Sequence, residues 1–131
     1  MATTAPAFGL SAIGQIFVTV HDVERAVAFY RDTLGMQFLF QAPPGMAFFN
    51  CGGVRLMLGV PTEPQFDHPA SIIYYKVADI EAAYETLKSR GAQFVSKPHL
   101  VAKLPDHDLW LVELRDPEGN ILALMCEKLH S

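Results

Sequence analysis

Gln15-Ile16-Phe17-Val18-Thr19-Val20-His21-Asp22-Val23-Glu24-Arg25-Ala26 decides the fold, because it is written again as Ile72-Ile73-Tyr74-Tyr75-Lys76-Val77-Ala78-Asp79-Ile80-Glu81-Ala82-Ala83. In each copy an apolar strand runs into Asp, an aliphatic residue and Glu, which is a helix start capped by Asp22 or Asp79. A second echo closes each half, Gly53-Val54-Arg55-Leu56-Met57-Leu58 against Gly119-Asn120-Ile121-Leu122-Ala123-Leu124. Similarity at so long a period means duplicated supersecondary modules, not a solenoid. Two modules that pair their sheets leave a concave surface between them, and that surface is the expected place for a small ligand.

Working outward, Ile13 to Val20 alternates with Ile16, Val18 and Val20 on one face and Gln15, Phe17 and Thr19 on the other, a strand pattern. Val23, Ala26, Val27, Phe29 and Tyr30 fall at helical spacing, and Gly35 supplies the stop. Strands follow at Met36 to Gln41, Ala47 to Asn50 and Val54 to Val60, separated by Pro43-Pro44-Gly45 and Cys51-Gly52-Gly53 turns. Pro61 to Pro69 is a proline-rich linker, and the pattern then restarts. Ser71 to Val77 reads as a strand, Asp79 to Ser89 as a helix stopped at Gly91, and Gln93 to Ser96 as a strand. Leu100 to Asp108 reads as a charged connection, with strands at Leu109 to Leu114 and Ile121 to Glu127 around an Asp116-Pro117-Glu118-Gly119-Asn120 turn. The expectation is one α+β domain over 1–131: a βαβββ module over about 13–60, the linker 61–69, and a second βαβββ module over about 70–127, together an incomplete barrel of mixed sheet.

Composition narrows the function. The chain has 131 residues and 50% hydrophobic content, enough for one soluble domain with a core of its own, so the two copies are expected to share one fold. Fourteen acidic against ten basic residues give a formal charge of −4, which argues against a nucleic-acid or anionic-membrane partner. Apolar runs such as Ile121 to Cys126 fall well short of the roughly 18 residues that span a bilayer. No signal peptide is read in Met1 to Gly14, and Met1 to Ser11 reads as a loose lead-in. Cys51 and Cys126 make no disulfide framework, so a reducing cytoplasm is the expected compartment.

Asp22 to Gly35 (Asp-Val-Glu-Arg-Ala-Val-Ala-Phe-Tyr-Arg-Asp-Thr-Leu-Gly) and Asp116 to Asn120 (Asp-Pro-Glu-Gly-Asn), set in a paired βαβββ chain, resemble the vicinal oxygen chelate superfamily. That group contains glyoxalase I, bleomycin-resistance proteins and extradiol dioxygenases. The resemblance covers Ile13 to Met125 and implies an incomplete barrel, often dimeric, that hosts both metal enzymes and metal-free binding proteins. The ligand positions of the metal enzymes fall here on Gln15, Met57, Ile72 and Ala123. Only Gln15 offers an oxygen donor, whereas a catalytic zinc takes about three protein ligands. The expectation is therefore no cofactor; the alternative is a divalent metal on a non-standard set of Gln15, His99, His107 and Glu113.

Other residues carry weaker chemistry. His107 between Asp106 and Asp108 has the composition of a general base beside carboxylates, and also of a solvated loop. Alternation places Arg55 and Met57 on the concave face, where Arg55 can hold a carboxylate or phosphonate, and gives Lys76 the same place in the second copy. The repeat sets Phe17 against Tyr74, and with Phe48, Met57, Trp110 and Met125 they compose an aromatic and thioether-lined pocket for a planar or amphipathic molecule. Ala123 belongs to the same pocket. Cys51 reads as a small buried hydrophobe, His21 as facing away from the barrel, and His68 and His130 as loose linker and tail residues. The leading expectation is a homodimeric, metal-independent small-molecule-binding protein. A metal-dependent lyase, isomerase or dioxygenase is the alternative, and an interaction module with a vestigial cavity the third reading.

Overall fold

The computed structural model describes residues 8–130, so most of the lead-in lies outside the described residues. The first copy folds as β1 (Gln15–Thr19), α1 (Val23–Ala28) running on into a π-helical turn (Phe29–Thr33), β2 (Gln37–Ala42), β3 (Met46–Cys51) and β4 (Val54–Gly59). Pro64–Phe66 forms a 3-10 turn in the linker. The second copy is β5 (Ile73–Lys76), α2 (Ile80–Ser89), β6 (Gln93–Phe94), β7 (His99–Lys103), β8 (His107–Arg115) and β9 (Ile121–Leu129). Both helix starts are capped as their sequence implies. Asp22 accepts from the Arg25 backbone N–H at 3.1 Å, and Asp79 accepts from that of Ala82 at 3.0 Å.

The duplication extends to the strand pairing. The first sheet runs β1-β4-β3-β2, and the second β5-β9-β8-β6 with β7 also on β8. In each, the opening strand lies parallel to the closing strand, and the rest is antiparallel. The stretch Leu100 to Asp108, expected as a connection, is corrected: His99–Lys103 is a strand paired to β8, which itself begins at His107. Pro98 hides it, because proline has no ladder N–H and splits one edge strand into β6 and β7.

Period-2 alternation gives each sheet a helix-packed face and an open face. Val18, Leu56, Leu58, Ala47 and Phe49 bury against Ala26, Val27 and Tyr30, and Val112, Leu114, Leu122, Leu124 and Cys126 against Ile80 and Leu87. Phe29 of the π turn and Leu34, which caps it, pack against both cores, which joins the modules on their helix side. The turn after β8 completes the joint. Asp116, 5% exposed, accepts from Tyr30 Oη at 2.8 Å, and Asn120 Nδ2 donates to the Thr19 carbonyl at 3.0 Å.

His21 is part of this joint, although its position ahead of the cap gave it no role in the sequence. Its Nε2 lies 2.9 Å from Asp67 of the linker and its Nδ1 3.2 Å from Glu118 of the β8–β9 turn. Glu118 Oε2 also accepts from the Asp22 N–H at 2.9 Å. The Asp67 hydrogen bond, then that of Glu118, raises the imidazole pKa above its ordinary 6.5. A raised folded-state pKa stabilises fully below the unfolded value and is lost as pH rises through the folded one. Thermal melts of His21→Gln and wild type are thus expected to differ most below pH 6.5 and to converge above the raised value. A gap between the two curves that does not change with pH would contradict this.

Candidate functional site

The open face of the first sheet carries an aromatic row. In register across β1, β4 and β3 stand Phe17, Met57 and Phe48, and Phe40 of β2 stacks on Phe48 with ring centroids 4.7 Å apart. The neighbouring row is polar: Gln15 beside Arg55, then Asn50 and Gln37. Arg55 is exposed and holds its guanidinium 5.6 Å from the Phe48 centroid, while Gln15 Nε2 donates to Met57 Sδ at 3.5 Å. A cation thus stands one step along the strand from an apolar floor.

That floor belongs to a cavity of about 590 Å³. Phe17 and Met57 lie beneath it, Gly45 of the β2–β3 turn and Met46 at the start of β3 form one wall, and Phe66 and His68 of the linker form the other. The linker is held over the sheet by Thr19 Oγ1 donating to the Phe66 carbonyl at 3.4 Å. His68 is therefore a cavity-wall residue with its ring on the Pro69 carbonyl at 3.0 Å, correcting its reading as a loose linker residue. Gly59 has no room for a side chain: a Cβ there would meet Phe17 Cε2 at 2.6 Å, so the ring lies directly on the Gly59 backbone.

The open face of the second sheet carries Tyr74, Ala123 and Glu113 in one row and Lys76, Met125, Leu111 and His99 in the next. Glu113 accepts from Ser96 Oγ at 2.8 Å, with His99 Nε2 at 4.0 Å. Lys76 is bound to Glu127 at 2.7 Å, and that contact first, then the charge of Lys76, holds the Glu127 carboxyl below its ordinary range. His107 lies between Asp106 at 2.8 Å and the same Glu127 at 3.1 Å, and Asp108 instead pairs with His130 at 2.9 Å. His130 is thereby placed, not loose.

Three expectations need correcting. Trp110 does not join the pocket: it pairs with Cys126, packs against the second core on the helix side, and has Lys128 Nζ 4.2 Å from its centroid. Strand parity is the reason, since Glu113 and Trp110 are an odd number of residues apart and cannot share a face. Tyr74, 49% exposed, does not line the cavity over Phe17, whose walls come from the first module and the linker. Cys51 is half-buried and lines a different cavity, between the modules, with Tyr75.

The donor set does not fit the superfamily's metal. Gln15 offers a single neutral amide oxygen and stands beside a cation, Met57 floors an apolar cavity, Ile72 is aliphatic, and Ala123 is wholly buried with no donor atom. The alternative set of Gln15, His99, His107 and Glu113 is not brought together within one chain: Gln15 is on the other sheet, and His107 is engaged by Asp106 and Glu127. Among the described residues no three His, Cys, Asp or Glu side chains gather as a metal centre, and no helix is long and apolar enough to cross a membrane.

Comparison with known proteins agrees with this architecture. A family model described as the Glyoxalase/Bleomycin resistance protein/Dioxygenase superfamily matches residues 12–124. The uncharacterized protein YraH of Bacillus subtilis (strain 168) is 25% identical over an alignment of 126 residues, covering 84% of this chain and 94% of that protein. Among solved structures, a putative glyoxalase family protein from Bacillus anthracis superposes with a TM-score of 0.74 at 23% identity, covering 94% of this chain and 100% of the other. A lactoylglutathione lyase from Agrobacterium tumefaciens does so with a TM-score of 0.73 at 23% identity, covering 90% and 95%. At these identities the solved structures speak for the fold alone. With two βαβββ modules, no closed barrel and a family match over most of its length, this chain belongs to the Glyoxalase/Bleomycin resistance protein/Dioxygenase superfamily.

Proposed function

We propose that this chain is a metal-independent small-molecule-binding member of its superfamily. Its ligand is aromatic or amphipathic with an anionic group, and lies on the open face of the first sheet. The observation that carries this reading is Met57. At the position where the metal enzymes place a carboxylate, a thioether floors an apolar cavity large enough for a small organic molecule. Phe17 supplies an aromatic surface, and Arg55, exposed beside that floor, supplies a planar cation suited to a carboxylate or sulfonate.

A homodimer is part of the proposal. β1 and β5 stand at the edges of their sheets, and Phe17, Phe40 and Tyr74 on the open faces are between 39% and 49% exposed. A second copy related by a two-fold axis would cover both.

The test is a calorimetric titration of chelator-stripped protein with naphthalene-2-sulfonate. Arg55→Gln is expected to weaken sulfonate binding about tenfold while leaving the binding of naphthalene itself unchanged. Equal loss for both ligands would remove Arg55 as the anion anchor. The enzyme reading keeps one observation in its favour, the Glu113 carboxylate set beside Ala123 with His99 4.0 Å away. It requires about one tightly held metal per subunit that Glu113→Gln releases.

A further inference from the structure

On the side of the second sheet away from the open face, an apolar groove of about 430 Å³ runs between the modules. Its floor is the buried pair Leu122 and Leu124 of β9, and Leu34, Met36 and Cys51 of the first module form the far wall. The near wall is α2, where Ala82, Thr86 and the capping Arg90 stand one helical turn apart. The rise from Ala82 to Arg90 gives the mouth a length of roughly 12 Å. A cation stands at one end of it. Arg90 donates from Nη1 to the Thr33 carbonyl of the first module at 3.0 Å, and a Cβ on Gly35 would lie 3.7 Å from the same nitrogen, so the guanidinium is braced across the two modules. Contiguous apolar surface left open on this scale marks an interaction site.

We propose that this groove is a second binding site, for a straight-chain aliphatic carboxylate of medium length, with the carboxylate on Arg90 and the chain along Leu122 and Leu124. Shape and charge together select that class. The floor and far wall are apolar, so the body of the ligand is hydrocarbon, and the long mouth with its cation at one end suits an extended chain with a single anionic head. No Asp or Glu lines the groove, and the guanidinium's hydrogen bond goes to a neutral carbonyl, so most of its fork of N–H donors remains for an anion. Thr86 carries a hydroxyl on the same rim, within one helical turn of the head group. The carbonyls of the last turn of α2, which would repel an anion, are already taken. Those of Thr86 and Leu87 accept from the Arg90 N–H at 3.2 and 3.1 Å, and that of Lys88 accepts from the Gly91 N–H at 3.0 Å. The groove shares no residue with the cavity over Phe17, so the two sites are tested separately.

The experiment titrates the full chain with octanoate and, in parallel, with 1-octanol, which has the same chain length and no charge, followed by amide NMR. Both are expected to move the resonances of Leu34, Cys51 and Leu124, and octanoate is expected to bind about tenfold more tightly than hexanoate, because it buries two more methylenes. Arg90→Gln, at an exposed position, is expected to weaken octanoate about fivefold and to leave 1-octanol unchanged. Ala82→Phe, which obstructs the mouth, is expected to abolish the shifts with either ligand. Equal loss of octanoate and 1-octanol in Arg90→Gln, shifts confined to residues around Phe17 and Phe66, or no shifts would overturn the proposal. Movement of the same resonances on diluting the ligand-free chain would also overturn it, since a second copy would then cover the groove.

Discussion

Asp116→Ala is expected to cost about 3 kcal/mol and to lower the melting temperature by roughly 10 °C. The carboxylate uses all of its acceptor capacity. Oδ1 takes the backbone N–H groups of Glu118 and Asn120, each at 2.9 Å, and Oδ2 takes Tyr30 Oη at 2.8 Å and Asn120 Nδ2 at 3.0 Å. Removing it leaves the Tyr30 hydroxyl, in a residue 2% exposed, without an acceptor, and unties the turn that carries Glu118 to His21. Tyr30→Phe removes one of the four donors and keeps the turn, so its expected cost is nearer 1 kcal/mol. Equilibrium denaturation of both variants checks the ordering. Equal costs would mean that the turn holds without its carboxylate.

The second large effect falls on binding, and Phe17 carries it. Truncation to Ala removes a ring whose face forms the cavity floor beside Met57, and the lost contact area is worth roughly 2 kcal/mol, or about thirtyfold in affinity for a naphthalene-sized ligand. Phe17 is 39% exposed, so the same change is expected to leave the fold in place. Gly59→Ala approaches the same surface from below. Its Cβ, 2.6 Å from Phe17 Cε2, forces the ring to swing, so affinity falls although no ligand contact has been deleted. If Gly59→Ala binds as wild type does, the ring does not lie as described.

The architecture was legible because it rests on local and repeated signals. The two Asp caps, the Gly35 and Gly91 stops and the strand alternation recur in both copies, and they fix the helices and the helix-packed faces. Phe17, Arg55 and Met57 fall on one face by that alternation, and Phe48 joins their row only through the β3–β4 register. Trp110 was misplaced against the same rule, since the residue spacing that puts Glu113 and His107 on the open face sends Trp110 to the other. Strand β7 was hidden by Pro98, which breaks the run without ending the pairing.

What the sequence did not contain was the arrangement of the two modules. The contacts that set it join residues far apart in the chain: Tyr30 with Asp116, Asn120 with Thr19, and His21 with Asp67 and Glu118. A repeat shows that two sheets exist, but it does not say which faces meet. The modules meet on their helix side, and their open faces remain exposed. The expected shared pocket of Phe17, Tyr74 and Trp110 accordingly became a cavity under the linker and a separate one behind the second sheet.

The most direct test of the metal-free binding site is a titration of chelator-stripped protein with naphthalene-2-sulfonate, repeated after one equivalent of Zn²⁺ or Ni²⁺ is added. The expected result is saturable binding at one ligand per subunit, weakened by Phe17→Ala and unchanged by either metal. Binding that emerges only once the metal is present would contradict the proposed function and return Gln15, His99 and Glu113 to the centre of the site.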